Sequence, residues 1–204
     1  MAIRAIIFDV GGVLVHDSHP APHHRAWERR LGLERGRLGD AIFDTPMGRQ
    51  SMTGQVTPQQ VWQEMAEHFD LSAAELQELE EGFWEDSEWN VELLEYARSL
   101  RPRFKTGIIS DAWLDTRQAI HAYVNEDVFD VIVYSAEEGI CKPDPEIYRR
   151  ALARLGVAPH KAIFVDDRIK NVEGARRLGI HAFLYTDPAG VRQEIERLIQ
   201  ESAE

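Results

Sequence analysis

The chain has 204 residues, of which 44% are hydrophobic and 28% charged, and this balance excludes a collagen, a coiled-coil rod and a wholly disordered protein. Thirty-five acidic residues against 23 basic ones give a formal net charge of -12, which argues against nucleic acid and anionic membrane as partners. The single cysteine, Cys141, cannot form an internal disulfide, so we expect a reducing, cytoplasmic location. Arg4 and Asp9 interrupt the apolar N-terminus, which therefore predicts neither a signal peptide nor a membrane helix.

The first predicted element is a strand over residues 3–8, the apolar run IRAIIF. Asp9, Val10, Gly11 and Gly12 follow it, so the strand ends on a glycine turn. A short apolar run that closes on such a turn is typical of a strand buried inside a sheet.

Residues 16–90 interrupt the strand pattern, because they contain helix starts but no convincing strand. Capping boxes begin at Thr57 and at Ser72, and Pro58 occupies the first helical position after the former. We expect a loop at residues 48–54. Residues 16–90 as a whole are interpreted as a helical cap inserted after the first strand.

After the cap, predicted strands and helices alternate. Asn90 caps a helix over residues 91–100 that returns the chain to the sheet. The later strands are predicted over residues 105–109, 131–134, 162–165 and 181–185, and the later helices over residues 114–124, 145–155, 171–178 and 191–199. This alternation is typical of an α/β fold with a doubly wound parallel sheet. We therefore expect a core domain of residues 1–15 and 91–204, with the cap over residues 16–90.

Polar side chains follow the ends of successive predicted strands. They are Asp9, Ser110, Asp111, Lys142, Asp166 and Asp167. In an open parallel sheet the ligand site lies at the carboxyl ends of the strands, so these side chains are expected to meet there.

The chemistry of this set points to phosphoryl transfer. Three carboxylates close together need a cation, and Mg²⁺ is the natural choice because it binds carboxylates, waters and phosphate oxygens. A carboxylate can attack phosphorus to form an aspartyl-phosphate, which water then hydrolyses. Lys142 and Ser110 supply a positive charge and a hydrogen bond to the phosphate.

Four sequence motifs carry a resemblance to a known family. They are IIFDVGGVL at residues 6–14, IISD at residues 108–111, KPDPEIY at residues 142–148 and IFVDDRIKNVEGARRLG at residues 163–179. In this order and spacing the chain resembles the haloacid dehalogenase superfamily of hydrolases, with a Rossmann-like core and a helical cap of the first type.

The resemblance implies roles for individual residues. Asp9 would be the nucleophile, and the metal would be held by Asp9, the Gly11 carbonyl and Asp166, with Asp167 supporting it through water. Ser110, Asp111 and Lys142 would form the phosphate site. Asn171 would orient the acidic loop.

Two positions depart from the family pattern. Phosphatases of the family usually carry a second aspartate, a general acid and base, where this chain has Gly11, which cannot donate a proton. Asp111 replaces a commoner asparagine, and it is equally compatible with an N-cap of the following helix.

Side chains near the motifs were considered as substitutes for the missing groups. Four histidines lie just after the first motif, namely His16, His19, His23 and His24, and one of them is a candidate proton donor. His16 is the best placed of the four. Lys142 adjoins Cys141 and would lower the pKa of its thiol. Trp113 is either a helix-packing residue or part of the pocket wall.

These observations predict a Mg²⁺-dependent hydrolase of small phosphate monoesters, with a preference for good leaving groups such as sugar 1-phosphates. The expected partner is a small phosphorylated metabolite, and the chain is expected to be a monomer or homodimer. Two alternatives stay open: a 2-haloacid dehalogenase, whose members usually carry an aromatic residue at the position of Gly11, and a non-catalytic phosphate-binding or regulatory protein. In this family the cap selects the substrate, but cap residues such as Trp27, Phe43, Met47 and Arg49 carry no recognisable code.

Overall fold

The computed structural model of the chain describes residues 2–16, 22–85 and 88–203, and at residues 16, 84, 85 and 203 it describes the backbone only. The strands are β1 (Ala5–Phe8), β2 (Val15–His16), β3 (Glu88–Trp89), β4 (Lys105–Ser110), β5 (Val131–Tyr134), β6 (Ala162–Asp166) and β7 (His181–Leu184). The α-helices are α1 (Pro22–Leu31), α2 (Leu38–Phe43), α3 (Pro46–Ser51), α4 (Pro58–Phe69), α5 (Ala73–Glu85), α6 (Val91–Ser99), α7 (Thr116–Ala119), α8 (Ser135–Glu138), α9 (Pro145–Leu155), α10 (Ile169–Arg177) and α11 (Pro188–Ala203). A short 3₁₀ helix covers Pro159–Lys161.

Five parallel strands form the central sheet, in the order β5-β4-β1-β6-β7. The first strand lies in the middle, where all four of its residues are fully buried. This position explains its continuous apolar sequence, because both faces of the strand are covered. The predicted fold class, an α/β doubly wound parallel sheet, is confirmed.

Alternate residues of β1 pack on opposite faces of the sheet. Ile6 and Phe8 belong to one hydrophobic core, to which α6 and α11 contribute. Ala5 and Ile7 belong to a second core, to which α9 and α10 contribute. Both cores fix the sheet between helices, so the carboxyl ends of the strands form one rigid edge.

Helices α1 to α5 pack around a third core, which we call the cap cluster. Its buried members are Trp27, Leu38, Ile42, Val61, Trp62, Met65, Leu79, Phe83 and Trp113. Both predicted capping boxes are present: the Thr57 hydroxyl accepts from the Gln60 N–H, and the Ser72 hydroxyl accepts from the Glu75 N–H. Most of the cap cluster therefore comes from the segment that interrupts the strand pattern.

Three details differ from the sequence-based expectations. Residues 48–54 are not a loop throughout, because α3 continues to Ser51, capped by Thr45 and begun by Pro46. Two very short strands, β2 and β3, pair at the base of the cap, where no strand was predicted. The helix predicted over residues 114–124 is reduced to α7, with turns after it. The division of the chain into domains at residues 16 and 90 stays a prediction.

Asn90 is the N-cap of α6, as predicted, and it also bonds to the segment that leads into the inserted cap. Its side chain accepts the Leu93 N–H at 3.0 Å and donates to the Val13 carbonyl at 3.3 Å. Its backbone N–H donates to the Leu14 carbonyl at 2.8 Å. One residue thus begins α6 and ties the end of the cap to the segment that leads into it.

Among the described residues no helix is long and apolar enough to cross a bilayer.

Candidate active site

The strand register places the predicted site residues at one edge of the sheet. Phe8 pairs with Ile108 on one side and with Val165 on the other, so Asp9 comes level with the ends of β4 and β6. The Asp9 N–H donates to the Val165 carbonyl at 2.9 Å, and the Val10 N–H donates to Oδ1 of Asp9 at 2.7 Å. Both bonds fix the Asp9 carboxylate at the head of the central strand.

Lys142 joins two of the carboxylates. Its Nζ lies 2.7 Å from Oδ2 of Asp9 and 2.8 Å from Oδ2 of Asp166, and all three side chains are almost completely buried. Although burial alone would lower the pKa of Lys142, the adjacent carboxylates raise it above its usual value. The ammonium is therefore a permanent positive charge between Asp9 and Asp166.

Asp166 accepts hydrogen bonds from other donors besides the Lys142 ammonium. The Asn171 amide donates to both of its carboxylate oxygens, at 3.0 and 3.1 Å, and the Arg168 N–H donates to Oδ1 at 2.8 Å. The Tyr148 hydroxyl in turn donates to the Asn171 carbonyl at 2.9 Å. Asn171 thus holds the Asp166 carboxylate in place, and its predicted role in orienting the acidic loop stays a prediction.

Asp167 completes a group of three carboxylates. Ligand oxygens of Asp9, Asp166 and Asp167 lie within 4.8 Å of one another. Gly12 makes this approach possible, since a Cβ atom at Gly12 would lie 2.5 Å from Oδ2 of Asp167, and its φ of +71° favours glycine as well. The sequence marks Gly12 only as part of a turn and does not predict this contact.

Asp111 has a different role from the predicted N-cap. Helix α7 begins after Asp115, and Asp111 lies well before it. Instead, Oδ1 of Asp111 accepts the Lys142 N–H at 2.9 Å, which ties the loop after β4 to the segment that contains Lys142. Burial raises the pKa of Asp111 above its usual value.

Ser110 and its surroundings form the other side of the site. Ser110 is the last residue of β4, pairs with Tyr134 of β5 and is buried. Ser135, which the sequence analysis missed, bonds to both backbone groups of Ala112: its hydroxyl accepts the N–H at 2.9 Å and donates to the carbonyl at 3.2 Å. No local sequence signal marks Ser135, because the contact joins two different strand ends.

Gly11 borders open space. An added Cβ would have no neighbour within 4 Å, so the missing aspartate is not excluded by crowding. His23 and His24 do not serve as substitutes here, because they pack in the cap: His23 lies against Gly82, and the His24 ring stacks on Phe83 at 5.0 Å. The His16 side chain and all of His19 lie outside the described residues.

Cys141 does not have the reactive thiol that its neighbour suggested. Its Sγ lies 3.4 Å from the Met52 carbonyl oxygen, in a contact between the core and the cap. Burial outweighs the charge of Lys142 and raises the pKa of the thiol to about 11. The expected lowering was wrong because desolvation dominates at this position.

The charges of the edge do not balance. Asp9, Asp111, Asp166 and Asp167 can carry four negative charges, while the Lys142 ammonium carries one positive charge among them. Burial raises the pKa of Asp9 well above its usual value, and Lys142 opposes this effect. A site of this kind is suited to a divalent cation with oxygen ligands.

Comparisons with known proteins agree with this geometry. The family model of haloacid dehalogenase-like hydrolases matches residues 3–179. Bifunctional epoxide hydrolase 2 of Sus scrofa is 31% identical over 219 residues, which cover 97% of this chain and 39% of that protein. The chain therefore spans about two fifths of the length of that relative. Phosphoserine phosphatase of Thermus thermophilus is 47% identical over 55 residues, which cover 26% of this chain and 22% of that protein.

Solved structures share the fold at lower identity. A haloacid dehalogenase family enzyme of Bacteroides thetaiotaomicron, in complex with magnesium and inorganic phosphate, superposes with a TM-score of 0.74 at 19% identity and covers 90% of this chain and 94% of that one. An L-2-haloacid dehalogenase of Xanthobacter autotrophicus, with chloropropionic acid covalently bound, gives a TM-score of 0.63 at 21% identity over 95% of this chain and 83% of that one. The fold alone therefore does not separate the two chemistries.

Proposed function

Because the chain belongs to the haloacid dehalogenase-like hydrolases, we propose that it hydrolyses small phosphate monoesters with Mg²⁺, through an aspartyl-phosphate formed on Asp9. The observation that carries this proposal is the buried Asp9 carboxylate, 2.7 Å from the Lys142 ammonium and grouped with Asp166 and Asp167. A charged lysine beside the nucleophile suits an anionic, phosphorylated substrate. The phosphatase among the relatives supports the same substrate class.

The residues of the site fit Mg²⁺. The three carboxylates offer hard oxygen ligands within 4.8 Å of one another, and their surplus negative charge needs a cation. Asp9, the Gly11 carbonyl and Asp166 would hold the ion, with Asp167 supporting it. When bound, Mg²⁺ would neutralise charge on the phosphate oxygens. The Bacteroides relative, crystallised with magnesium and inorganic phosphate, supports this assignment.

The residues of the chain account for two chemical steps. A carboxylate oxygen of Asp9 attacks phosphorus while the bond from phosphorus to the leaving oxygen breaks, and the leaving alkoxide takes a proton from water. Water then attacks the same phosphorus, which releases inorganic phosphate and restores the Asp9 carboxylate. Lys142 opposes the effect of burial and favours the ionised form of the Asp9 carboxylate, and Ser110 donates a hydrogen bond to a phosphate oxygen.

The leaving alcohol takes its proton without help from residue 11. Positioned proton transfer is typically worth about 10² to 10⁴ in rate, so substrates with acidic leaving groups lose least by its absence. Acyl phosphates, aryl phosphates and sugar 1-phosphates have such leaving groups. The enzyme is therefore proposed to favour them over simple alkyl phosphates, and His16, the best placed of the four histidines, is a candidate donor.

The nucleophile is tested with Asp9→Asn. The amide cannot form the covalent intermediate, so release of p-nitrophenol from p-nitrophenyl phosphate should fall by at least about 10³-fold while the melting temperature stays unchanged or rises. Asp127→Asn, at an exposed carboxylate, is the control and should keep full activity. Residual activity of Asp9→Asn within tenfold of the parent would overturn the assignment.

Two further measurements separate the alternative functions. Release of chloride from 2-chloropropionate without Mg²⁺, and no release of phosphate, would indicate a dehalogenase. Binding of inorganic phosphate without turnover of any phosphate ester would indicate a regulatory protein.

The metal is tested with Asp166→Ala. Mg²⁺ should raise the melting temperature of the parent, because it binds the folded state, and should leave that of the variant unchanged. Equal shifts in both proteins would show that the cation binds elsewhere.

A further inference from the structure

Trp113 follows β4 in the sequence, but its side chain packs in the cap cluster. It lies three residues after Ser110, yet its side chain is 2% exposed within the cap cluster. Its ring centroid lies 4.9 Å from that of Phe43 and 5.7 Å from that of Trp62. Among the described residues, Trp113 is the only buried member of the cap cluster that lies outside the cap segment.

The residues between Ser110 and Trp113 are fixed to the core. Asp111 accepts the Lys142 N–H, and Ala112 bonds to Ser135 through both of its backbone groups. Only two residues separate Ser110 from Trp113, and both are bonded to the core, so the segment has little freedom to absorb a displacement of the Trp113 ring. A shift of the cap cluster is therefore transmitted to Ser110 and to the Lys142 segment.

Two further contacts place the cap on the neighbouring segment. The Cys141 thiol lies 3.4 Å from the Met52 carbonyl. Gly54 lies so close to the core that an added Cβ would approach the Ala136 carbonyl oxygen at 2.6 Å. Both core residues lie between the end of β5 and Lys142. The cap thus rests on the same two segments that hold Ser110 and Lys142.

From these contacts we propose that Trp113 is a positioning residue: it sets the position of the phosphate-binding segment after β4 by anchoring that segment in the cap. This inference rests on the proposed function in one respect, since it assigns Ser110 to phosphate. Trp113 does not itself touch the reacting atoms in this account. Its contribution is the rigid connection between the apolar cap cluster and the polar edge of the sheet.

The first test is the affinity for inorganic phosphate in the presence of Mg²⁺, measured by calorimetry on the full chain. Trp113→Ala should weaken binding about tenfold, which corresponds to about 1.4 kcal/mol, and Trp113→Phe should restore it to within about threefold. The control is Trp27→Ala, which removes the same ring from the same cluster, where Trp27 is 5% exposed. Trp27→Ala should bind phosphate as the parent does. Equal weakening in both alanine variants would overturn the proposal.

The second test does not depend on phosphate. Hydrogen exchange should accelerate over residues 110–116 in Trp113→Ala and not in Trp27→Ala, while exchange in the cap accelerates in both. Unchanged exchange over residues 110–116 in Trp113→Ala would overturn the proposal. If the parent binds no phosphate, the proposed function fails and the exchange result alone decides the role of Trp113. If an alanine variant does not fold, Trp113→Phe and Trp27→Phe are compared in the same measurements.

Discussion

The polar edge of the sheet and the cap cluster are both buried, but they are held together by opposite means. At the sheet edge, short bonds between charged groups join Lys142 to Asp9 and Asp166. In the cap cluster, aromatic and aliphatic side chains pack at ring distances such as the 5.8 Å between Trp62 and Phe83. Burial of the charged groups costs desolvation free energy, which is offset only when their partners lie in the correct geometry. The apolar side chains of the cap cluster stabilise the fold by burial alone.

This contrast separates stability from chemistry. Removal of the Lys142 charge leaves Asp9 and Asp166 buried without their partner, so the effect on both folding and catalysis is large. Removal of apolar volume in the cap leaves a cavity, which destabilises the protein but changes no reacting group. The predictions below test how far this separation holds.

The largest effect is expected for Lys142→Met, which keeps most of the length of the side chain and removes its charge. We expect kcat to fall by at least about 10²-fold, because one stabilising group at the phosphate is lost. Unfolding by urea should show a loss of about 3–5 kcal/mol, because Asp9 and Asp166 remain buried without the ammonium. In Lys142→Met/Asp9→Asn part of this stability should return while activity does not. A single variant that is both stable and active would contradict the ionic account of the sheet edge.

A second test adds a charge at the open position beside the nucleophile. Gly11→Asp should fit, because no atom lies within 4 Å of the added Cβ. With a proton donor present, kcat/KM for alkyl phosphates should rise by up to about 10²-fold, and the plot of log kcat/KM against leaving-group pKa should become shallower. Gly11→Asn is the matched control, of equal shape without an acidic proton, and should keep the steep slope. A flat plot for the parent that His16→Ala makes steep would identify His16 as the donor instead.

The third test concerns pH and the cation. Burial raises the pKa of Asp9, so below that raised pKa a proton competes with Mg²⁺ for the carboxylate. The affinity for Mg²⁺, read from the shift in melting temperature, should therefore strengthen as pH rises and level off above that pKa. Below it, the change should reach at most about tenfold per pH unit. Asp9→Asn should show a shallower profile, and equal slopes in both proteins would exclude Asp9 as a ligand.

The smallest effect on activity is expected in the cap. Met65 lies in α4 and is 3% exposed in the cap cluster. Met65→Ala should lower stability by about 2–5 kcal/mol through the cavity it leaves. At a temperature where the variant is folded, kcat for p-nitrophenyl phosphate should stay within about threefold of the parent. A loss of activity as large as that of Lys142→Met would remove the distinction between the two regions.

The sheet edge could be predicted well because its polar residues follow apolar runs. Asp9, Lys142 and Asp166 lie directly at or shortly after strand ends, where parallel topology brings them together. Gly12 and Ser135 were not predicted as contacts, because their roles arise from segments far apart in the chain. Their signals are tertiary, and no local pattern contains them.

The cap was predicted only in outline. Its capping boxes identified helix starts correctly, since these bonds are formed within a few residues. The start of α3 was missed although Thr45 and Pro46 form a usable N-terminal signal. The helix expected over residues 114–124 was overestimated, since only Thr116–Ala119 is helical and turns replace the rest. Apolar packing of this kind has many equivalent solutions, so periodicity alone does not determine it.

The two-residue ribbon of β2 and β3 has a consequence for the exchange of parts between proteins. Val15 pairs with Trp89, so the chain leaves the sheet and comes back to it at adjacent points, although 73 residues separate the pair in the sequence. The entropy of closing a loop depends only weakly on its length, and here the closure is made by the ribbon itself. A segment of quite different size could therefore be grafted between the same two anchor residues without retuning the register of the sheet. The segment between the anchors could then be exchanged as a module, while the side chains at the edge of the sheet keep their positions.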